Sequence, residues 1–172
     1  GPETEFRCFS ASQEVLLPNV YKRRKHNYDT LRGLHLNDMT HVLNQSMPKD
    51  LGILRFHVGG DFFNKDYFFA AMVLAMMHQD KLFYAYTKSL RYWVKYREYV
   101  EQLPNFVLTA SRGGREDTLI DIYNLRQSVV VYSVKEAIDK MLVIDHNDSH
   151  AAVPSWSKND FALLIHGTQP KG

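Results

Sequence analysis

The stretch Leu51–Phe63, LGILRFHVGGDFF, joins three kinds of local structure. Ile53–Val58 is a short apolar-rich run of the kind that forms a buried strand. Gly59-Gly60-Asp61 follows it as a turn. The next segment, Asn64–Gln79, is almost wholly apolar in its middle and has the length of a helix buried on nearly all sides. The stretch therefore predicts a strand, a glycine turn and a helix, which is the repeating unit of an α/β fold.

Polar groups cluster where this strand ends. The alternation of side chains along a strand predicts that Arg55 and His57 share one face. Two adjacent glycines let a ligand approach the backbone closely, and the carboxylate of Asp61 beside them could bind an amine or a hydroxyl. In α/β folds ligands bind at the carboxyl ends of the strands. We therefore expect a ligand site here.

Composition indicates an ordinary globular protein. The chain has 172 residues, a hydrophobic fraction of 45%, a charged fraction of 23% and a net charge of +2, so overall charge does not argue for nucleic acid. One cysteine excludes an internal disulfide framework and suits a reducing compartment. No apolar run reaches membrane-spanning length. We predict a single α/β domain over residues 1–172, in the cytoplasm and without a membrane partner.

Strands and helices alternate along the whole chain. The remaining strands are predicted at Leu82–Thr87, Phe106–Ala110, Val129–Tyr132, Leu142–Ile144 and Phe161–Ile165. Helices are predicted at Ser10–Arg32 with an interruption at Pro18, then at Asn37–Ser46, Asn64–Gln79, Ser89–Leu103, Glu116–Leu125 and Lys135–Met141. Short connections of this kind give parallel strands with right-handed crossovers.

Polar side chains recur at the ends of the later strands. Lys88 follows the second strand, and Ser111 and Arg112 follow the third, beside a second glycine pair. Each alone would be a surface residue. Because parallel strands end at the same edge of a sheet, we expect these residues to converge with His57 and Asp61 on one rim.

Two further motifs leave alternatives open. The run Asp145–His150 has residue types that ligate zinc, manganese or iron, and the same residue types also form turns. The basic cluster Lys22–His26 lies on the first predicted helix. It is either a solvated face or a contact for phosphate or for an acidic partner.

The sequence resembles a phage-borne family known as gene product 88, over nearly its whole length and in the same order. The blocks that carry the resemblance are Phe6–Glu14, Arg55–Phe63, Phe83–Leu90, Ala110–Gly114 and Ile144–Ala151. Members of this family tend to carry further cysteines before the block that holds Cys8. The activity of the family is poorly defined, so this resemblance implies little about function.

The layout also resembles, more distantly, the radical S-adenosylmethionine (SAM) enzymes. That resemblance implies an open or partial (βα) barrel with parallel strands. It implies that Cys8 is the last ligand of a [4Fe–4S] cluster and that Gly59, Gly60 and Asp61 face the methionine part of SAM. It further implies that Ser111 and Arg112 touch the ribose or carboxylate of SAM, and that His57 and Lys88 face the substrate. Such a cluster uses three cysteines and this chain has one. Either a first strand and a cysteine loop are missing, which is what we expect, or the cluster has been lost.

Three functional hypotheses follow. The first is a radical-SAM-like iron–sulfur protein acting on an unknown small-molecule or nucleotide substrate. The second is a metal-dependent hydrolase or nuclease that uses Asp145, His146, Asp148 and His150. The third is a non-enzymatic protein that binds a host factor through the basic helix and exposed aromatic side chains.

Overall fold

A computed structural model describes residues 9–153 and 160–165. Its strands are β1 (Ile53–Phe56), β2 (Leu82–Thr87), β3 (Phe106–Ser111), β4 (Gln127–Val131), β5 (Val143–Ile144) and β6 (Phe161–Leu164). Its helices are α1 (Phe9–Leu16), α2 (Pro18–Leu31), α3 (Leu36–Ser46), α4 (Lys65–Met77), α5 (Leu90–Lys95), α6 (Arg97–Glu101), α7 (Thr118–Tyr123), α8 (Val134–Asp139) and α9 (Ser149–Ala152).

The six described strands form one parallel sheet in the order β1-β2-β3-β4-β6-β5. Phe56 on β1 lies opposite Ala85 on β2, and Ala85 lies opposite Leu108 on β3. The sheet is open, with β1 and β5 as its two edge strands. The prediction of a parallel α/β sheet is confirmed, whereas closure of the described strands into a barrel is not observed.

One face of the sheet carries the main core. The rings of Phe56, Phe83 and Phe106 meet at its centre, with centroid distances of 6.0 Å and 6.3 Å from Phe56 to the other two. Helix α4 covers them, and most of its central residues are buried, as its apolar sequence predicts. Asn64 caps this helix, because its side-chain oxygen accepts a hydrogen bond from the Tyr67 amide at 2.8 Å.

The opposite face is more polar. It presents Tyr84, Val107 and Phe161, which pack against the short helix α9. Arg126 fixes this helix to the sheet, since its guanidinium donates to the carbonyls of His150 and Ala151 at 3.1 and 3.0 Å and to the Thr109 hydroxyl at 2.7 Å. The carboxyl ends of β1 to β3 are thus framed by a thick apolar layer on one side and a polar layer on the other.

Some element bounds match those predicted and others differ. Strand β2 has the predicted bounds, and Pro18 divides the first helical segment into α1 and α2, as expected. Strand β1 ends at Phe56, two residues before the predicted end. Helix α9 was not predicted. In the part of the chain that the structure describes, no helix is both long enough and apolar enough to cross a bilayer.

Candidate functional site

Asp61 ties the end of β1 to the end of β2. Its Oδ1 accepts hydrogen bonds from the Thr87 hydroxyl and from the Phe62 amide, each at 2.7 Å. Its Oδ2 accepts one from the Lys88 amide at 2.7 Å. A carboxylate offers about four acceptor positions, so three are already used within the fold. Asp61 therefore holds the loop after β1 against the loop after β2, and we call this set of contacts the latch.

Lys88 extends the same latch to β3. Its Nζ donates to the Ser111 carbonyl at 2.7 Å and to the Arg112 carbonyl at 3.1 Å. Ser111 and Arg112 therefore take part through their backbone. The Arg112 side chain turns away to Gln127 and to Asp121. The structure thus brings together Asp61, Lys88 and the end of β3 on one edge, as predicted, while the Arg112 guanidinium lies elsewhere.

The predicted placement of His57 beside Arg55 is wrong. The strand has ended at Phe56, and His57 adopts a positive φ of 58°, which breaks the alternation of side chains. Its ring packs edge-on against Phe62 with centroids 4.6 Å apart, and its Nε2 lies 2.9 Å from the Tyr67 hydroxyl. Burial lowers the pKa of His57 to about 4, so this imidazole is neutral at pH 7.

Gly59 is the contact between the turn and the helical hairpin of α1 and α2. A Cβ on Gly59 would lie 2.3 Å from Ser10 Oγ and 2.5 Å from Arg24 Cζ. Arg24 is held there by the Ser10 hydroxyl at 2.8 Å, by Gln13 Oε1 at 2.8 Å and by Glu14 Oε1 at 3.1 Å. Gly60, by contrast, is exposed with a φ of 95° and open space around it.

An open cleft of about 940 Å³ lies between α2 and this turn. Its polar and aromatic lining includes Arg23, Tyr28, Asp29, Arg32, His57, Gly60, Asp61, Phe63 and Tyr67. The Asp29 carboxylate is paired with Lys25 and with Arg32, and Glu14 is paired with Arg24. Arg23 forms no ion pair within residues 9–153 and 160–165. The lining therefore carries an excess of positive charge.

A second cluster of polar side chains lies on the face of the sheet that packs against α9. The Asp148 carboxylate accepts from Arg55 Nη1 at 2.7 Å, from the Tyr84 hydroxyl at 3.0 Å and from the Tyr86 hydroxyl at 2.9 Å. Burial and the Asp148 charge raise the pKa of Tyr84 to about 12, and the same causes raise the pKa of Tyr86. The alternation of Tyr84 and Tyr86 along β2 predicts that they share a face, but nothing in the sequence pairs them with Asp148.

The run Asp145–His150 folds as a turn into α9. The buried Asp145 carboxylate accepts from the amides of Asn147 and His150 at 3.2 and 3.0 Å. Asp148 turns instead to the sheet. In residues 9–153 and 160–165 no group of three or more His, Cys, Asp or Glu side chains is arranged to hold a metal ion. The structure therefore does not bring these four residues together as one ligand set.

The iron–sulfur interpretation requires thiolates that this sequence does not supply. A SAM-cleaving [4Fe–4S] cluster uses three cysteines, and the chain has one, Cys8, which lies outside the described residues. The residues present do not fit the cluster.

Comparison with known proteins supports one of the two resemblances. No curated protein and no solved structure matches this chain. The family model described as Gene product 88 matches residues 4–172, which includes the glycine turn, the latch and the cleft. The chain belongs to the Gene product 88 family.

Proposed function

We propose that this protein binds a phosphate-bearing nucleotide in the cleft between α2 and the turn Gly59–Asp61. The observation that carries the proposal is the positive lining of that cleft beside the open backbone of Gly60. The acids of the lining are already paired or hydrogen-bonded, whereas Arg23 has no ion-pair partner in the described ranges. A phosphate is the ligand group that an unpaired guanidinium and an exposed glycine amide bind well.

The cleft also offers ring surface for a base. Tyr28 meets Phe63 edge-on at 5.1 Å between centroids, and Phe63 stacks on Tyr67 at 4.8 Å. Tyr28 is 46% exposed. Flat aromatic surfaces of this kind bind nucleobases by stacking. Cationic and aromatic groups thus line the same cleft, which suits a nucleotide better than a simple anion.

The radical-SAM interpretation assigns the turn Gly59–Asp61 to SAM, and it predicts a different order of ligand affinities. SAM carries a sulfonium cation, which a cleft with excess positive charge disfavours, whereas ATP carries several negative charges. The two ligands share the adenosine group, so they test the charge argument directly. The radical-SAM interpretation would also require a partial (βα) barrel.

The test is calorimetric titration of the full chain with ATP, AMP and SAM at low ionic strength. We expect affinity in the order ATP, AMP, SAM. Arg23→Glu should weaken ATP binding about tenfold or more, which corresponds to about 1.4 kcal/mol. Lys49→Glu is the matched control, because Lys49 is exposed in the loop before β1, away from the glycine turn, and forms no ion pair within the described ranges.

Two outcomes would overturn the proposal. One is the absence of measurable binding of any of the three ligands by a folded protein. The other is equal weakening by Arg23→Glu and Lys49→Glu, because that would place the phosphate away from the cleft. Tighter binding of SAM than of ATP would favour the radical-SAM interpretation of the same turn.

A second candidate function is binding of a host protein, and one observation favours it. Val15, Leu16 and Leu17 at the α1–α2 junction are 81%, 68% and 51% exposed. Adjacent exposed aliphatic side chains are typical of protein contact sites. Capture from host lysate by the native chain, compared with a Leu16→Asp variant, tests this role. It is rejected if both chains retain the same proteins.

A further inference from the structure

Helix α2 has a second groove on its other side. This groove has a volume of about 540 Å³ and is lined by Asn19, Lys22, Arg23 and His26. Asn19 and Arg23 also line the larger cleft, so the two concavities are neighbours separated by the side chains of one helix. Lys22 forms no ion pair within the described ranges, like Arg23. Positive side chains of α2 therefore continue from the cleft into the second groove.

Positive charge is concentrated on this helix. Pro18–Leu31 holds four cationic side chains and one carboxylate, a net charge of +3. The chain as a whole has a net charge of +2, so all remaining residues sum to −1. Only Arg24 among the four cations is drawn into the fold, where it packs on Gly59. A localised patch of this kind on a nearly neutral protein attracts a polyanion to one place.

Two exposed tyrosines lie among the cationic side chains of α2. Tyr21 and Tyr28 are 48% and 46% exposed, and both line the larger cleft. They lie seven residues apart on one helix, a rise of about 10 Å. A basic groove with aromatic platforms is the arrangement by which proteins bind single-stranded nucleic acid, since the phosphates follow the cations and the bases stack on the rings.

We propose that the nucleotide bound in the cleft is part of a single-stranded nucleic acid, whose backbone continues across α2 into the second groove. This inference rests on the proposed function and specifies its ligand. An unpaired strand is required, because a base held in a duplex cannot turn into the cleft. An acidic peptide would satisfy the cations but would leave the tyrosines without a planar partner.

The test is fluorescence anisotropy with a labelled oligothymidylate of about twelve nucleotides, within the site sizes of single-strand binding proteins. ATP binding is measured in the same buffer. We expect the oligonucleotide to bind more tightly than ATP, with an affinity that falls steeply with salt. Lys22→Glu should weaken oligonucleotide binding about tenfold and leave ATP binding unchanged, because Lys22 lines only the second groove. Lys49→Glu should change neither.

A second variant tests the stacking separately from the charge. Tyr21→Ala should weaken the oligonucleotide about tenfold with little change in the salt slope, whereas Lys22→Glu should make that slope shallower by about 0.7. Tyr21 is exposed, so its replacement by alanine should not impair folding. Poly-L-glutamate serves as the competing polyanion and should displace the oligonucleotide poorly.

The outcomes separate the two proposals. Binding of ATP with no gain for the oligonucleotide, or with no effect of Lys22→Glu, overturns the nucleic-acid inference and leaves the nucleotide site standing. Displacement by poly-L-glutamate as efficient as by unlabelled oligonucleotide also overturns it, in favour of an acidic protein partner. Failure of both ATP and the oligonucleotide to bind overturns both proposals.

Discussion

Arg55 on β1 and Asp148, which follows β5, join the two edge strands of the open sheet through a contact of 2.7 Å. Five strand spacings separate these edges, about 24 Å across a flat sheet. The loop after β5 crosses the polar face to make this contact and carries α9 onto β2 and β3. The pair therefore helps to hold α9 over the polar face of the sheet.

Asp148→Asn should destabilise the protein by about 2 to 3 kcal/mol, because it removes the charge that balances Arg55 and weakens two tyrosine hydrogen bonds. Urea unfolding measures the change. The control is Asp139→Asn, which breaks the exposed pair with Lys135 and should cost less than about 0.5 kcal/mol. Equal losses in the two variants would contradict a special role for Asp148.

Stability should fall as the pH rises from 10 towards 12. The pKa of Tyr84 is raised in the folded protein to about 12, above its ordinary value of 10, so the folded state keeps the phenolic proton longer than the unfolded state. The stabilisation is complete below pH 10 and is lost as the pH passes through the folded pKa. Unfolding free energies at pH 9 and pH 11 should differ less in a Tyr84→Phe, Tyr86→Phe variant, and an undiminished difference would count against this assignment.

Acid should destabilise the protein through His57. The pKa of His57 is lowered to about 4 in the folded protein from an ordinary value of 6.5, so the unfolded state binds the proton first. The contribution, up to about 3 kcal/mol, is present above pH 6.5 and is lost as the pH falls towards 4. His57→Asn, which tolerates positive φ, should flatten the slope of unfolding free energy between these values. An unchanged slope would show that other groups dominate.

Gly59→Ala should displace the α1–α2 hairpin. The new methyl group would fall on the Arg24 guanidinium, which several acceptors hold in place. We expect a loss of about 1 to 3 kcal/mol, with faster hydrogen exchange in α1. Gly52→Ala is the matched control, because a Cβ there meets nothing within 4 Å. If both variants exchange alike, the hairpin does not depend on this contact.

Asp61→Ala should loosen the latch at the carboxyl edge. The variant leaves the buried Thr87 hydroxyl and the Lys88 amide without their acceptor, at a cost of about 2 to 4 kcal/mol. Asp80→Ala, at a carboxylate that is 74% exposed, should be nearly neutral. Thermal unfolding compares them, and a neutral Asp61→Ala would contradict a structural role for these hydrogen bonds.

The regular elements could be predicted because their signals are local. The alternation in β2, the apolar length of α4 and the break at Pro18 are all read from neighbouring residues. Helix α9 has four residues, too few to show a period, and the Asp-Asn-Ser composition around it indicates a turn equally well.

The polar groups were harder to predict, because their partners are distant in sequence. The placement of Asp61, Lys88 and Ser111 on one edge follows from the parallel sheet alone. The turn of His57 away from Arg55 depends on one dihedral angle beyond the end of β1. The pairing of Arg55 with Asp148 spans 93 residues and arises from the path of the last loop, which no local pattern specifies.

The strand order has a consequence for how the protein is made. Among the described strands, β5 pairs with β6 alone, and β6 lies between β4 and β5 although it follows both in the sequence. While β1 to β4 can assemble during synthesis, β5 must wait without a hydrogen-bonding neighbour until Phe161–Leu164 has emerged. Completion of the described sheet is thus a late, insertion-like event that follows the emergence of β6.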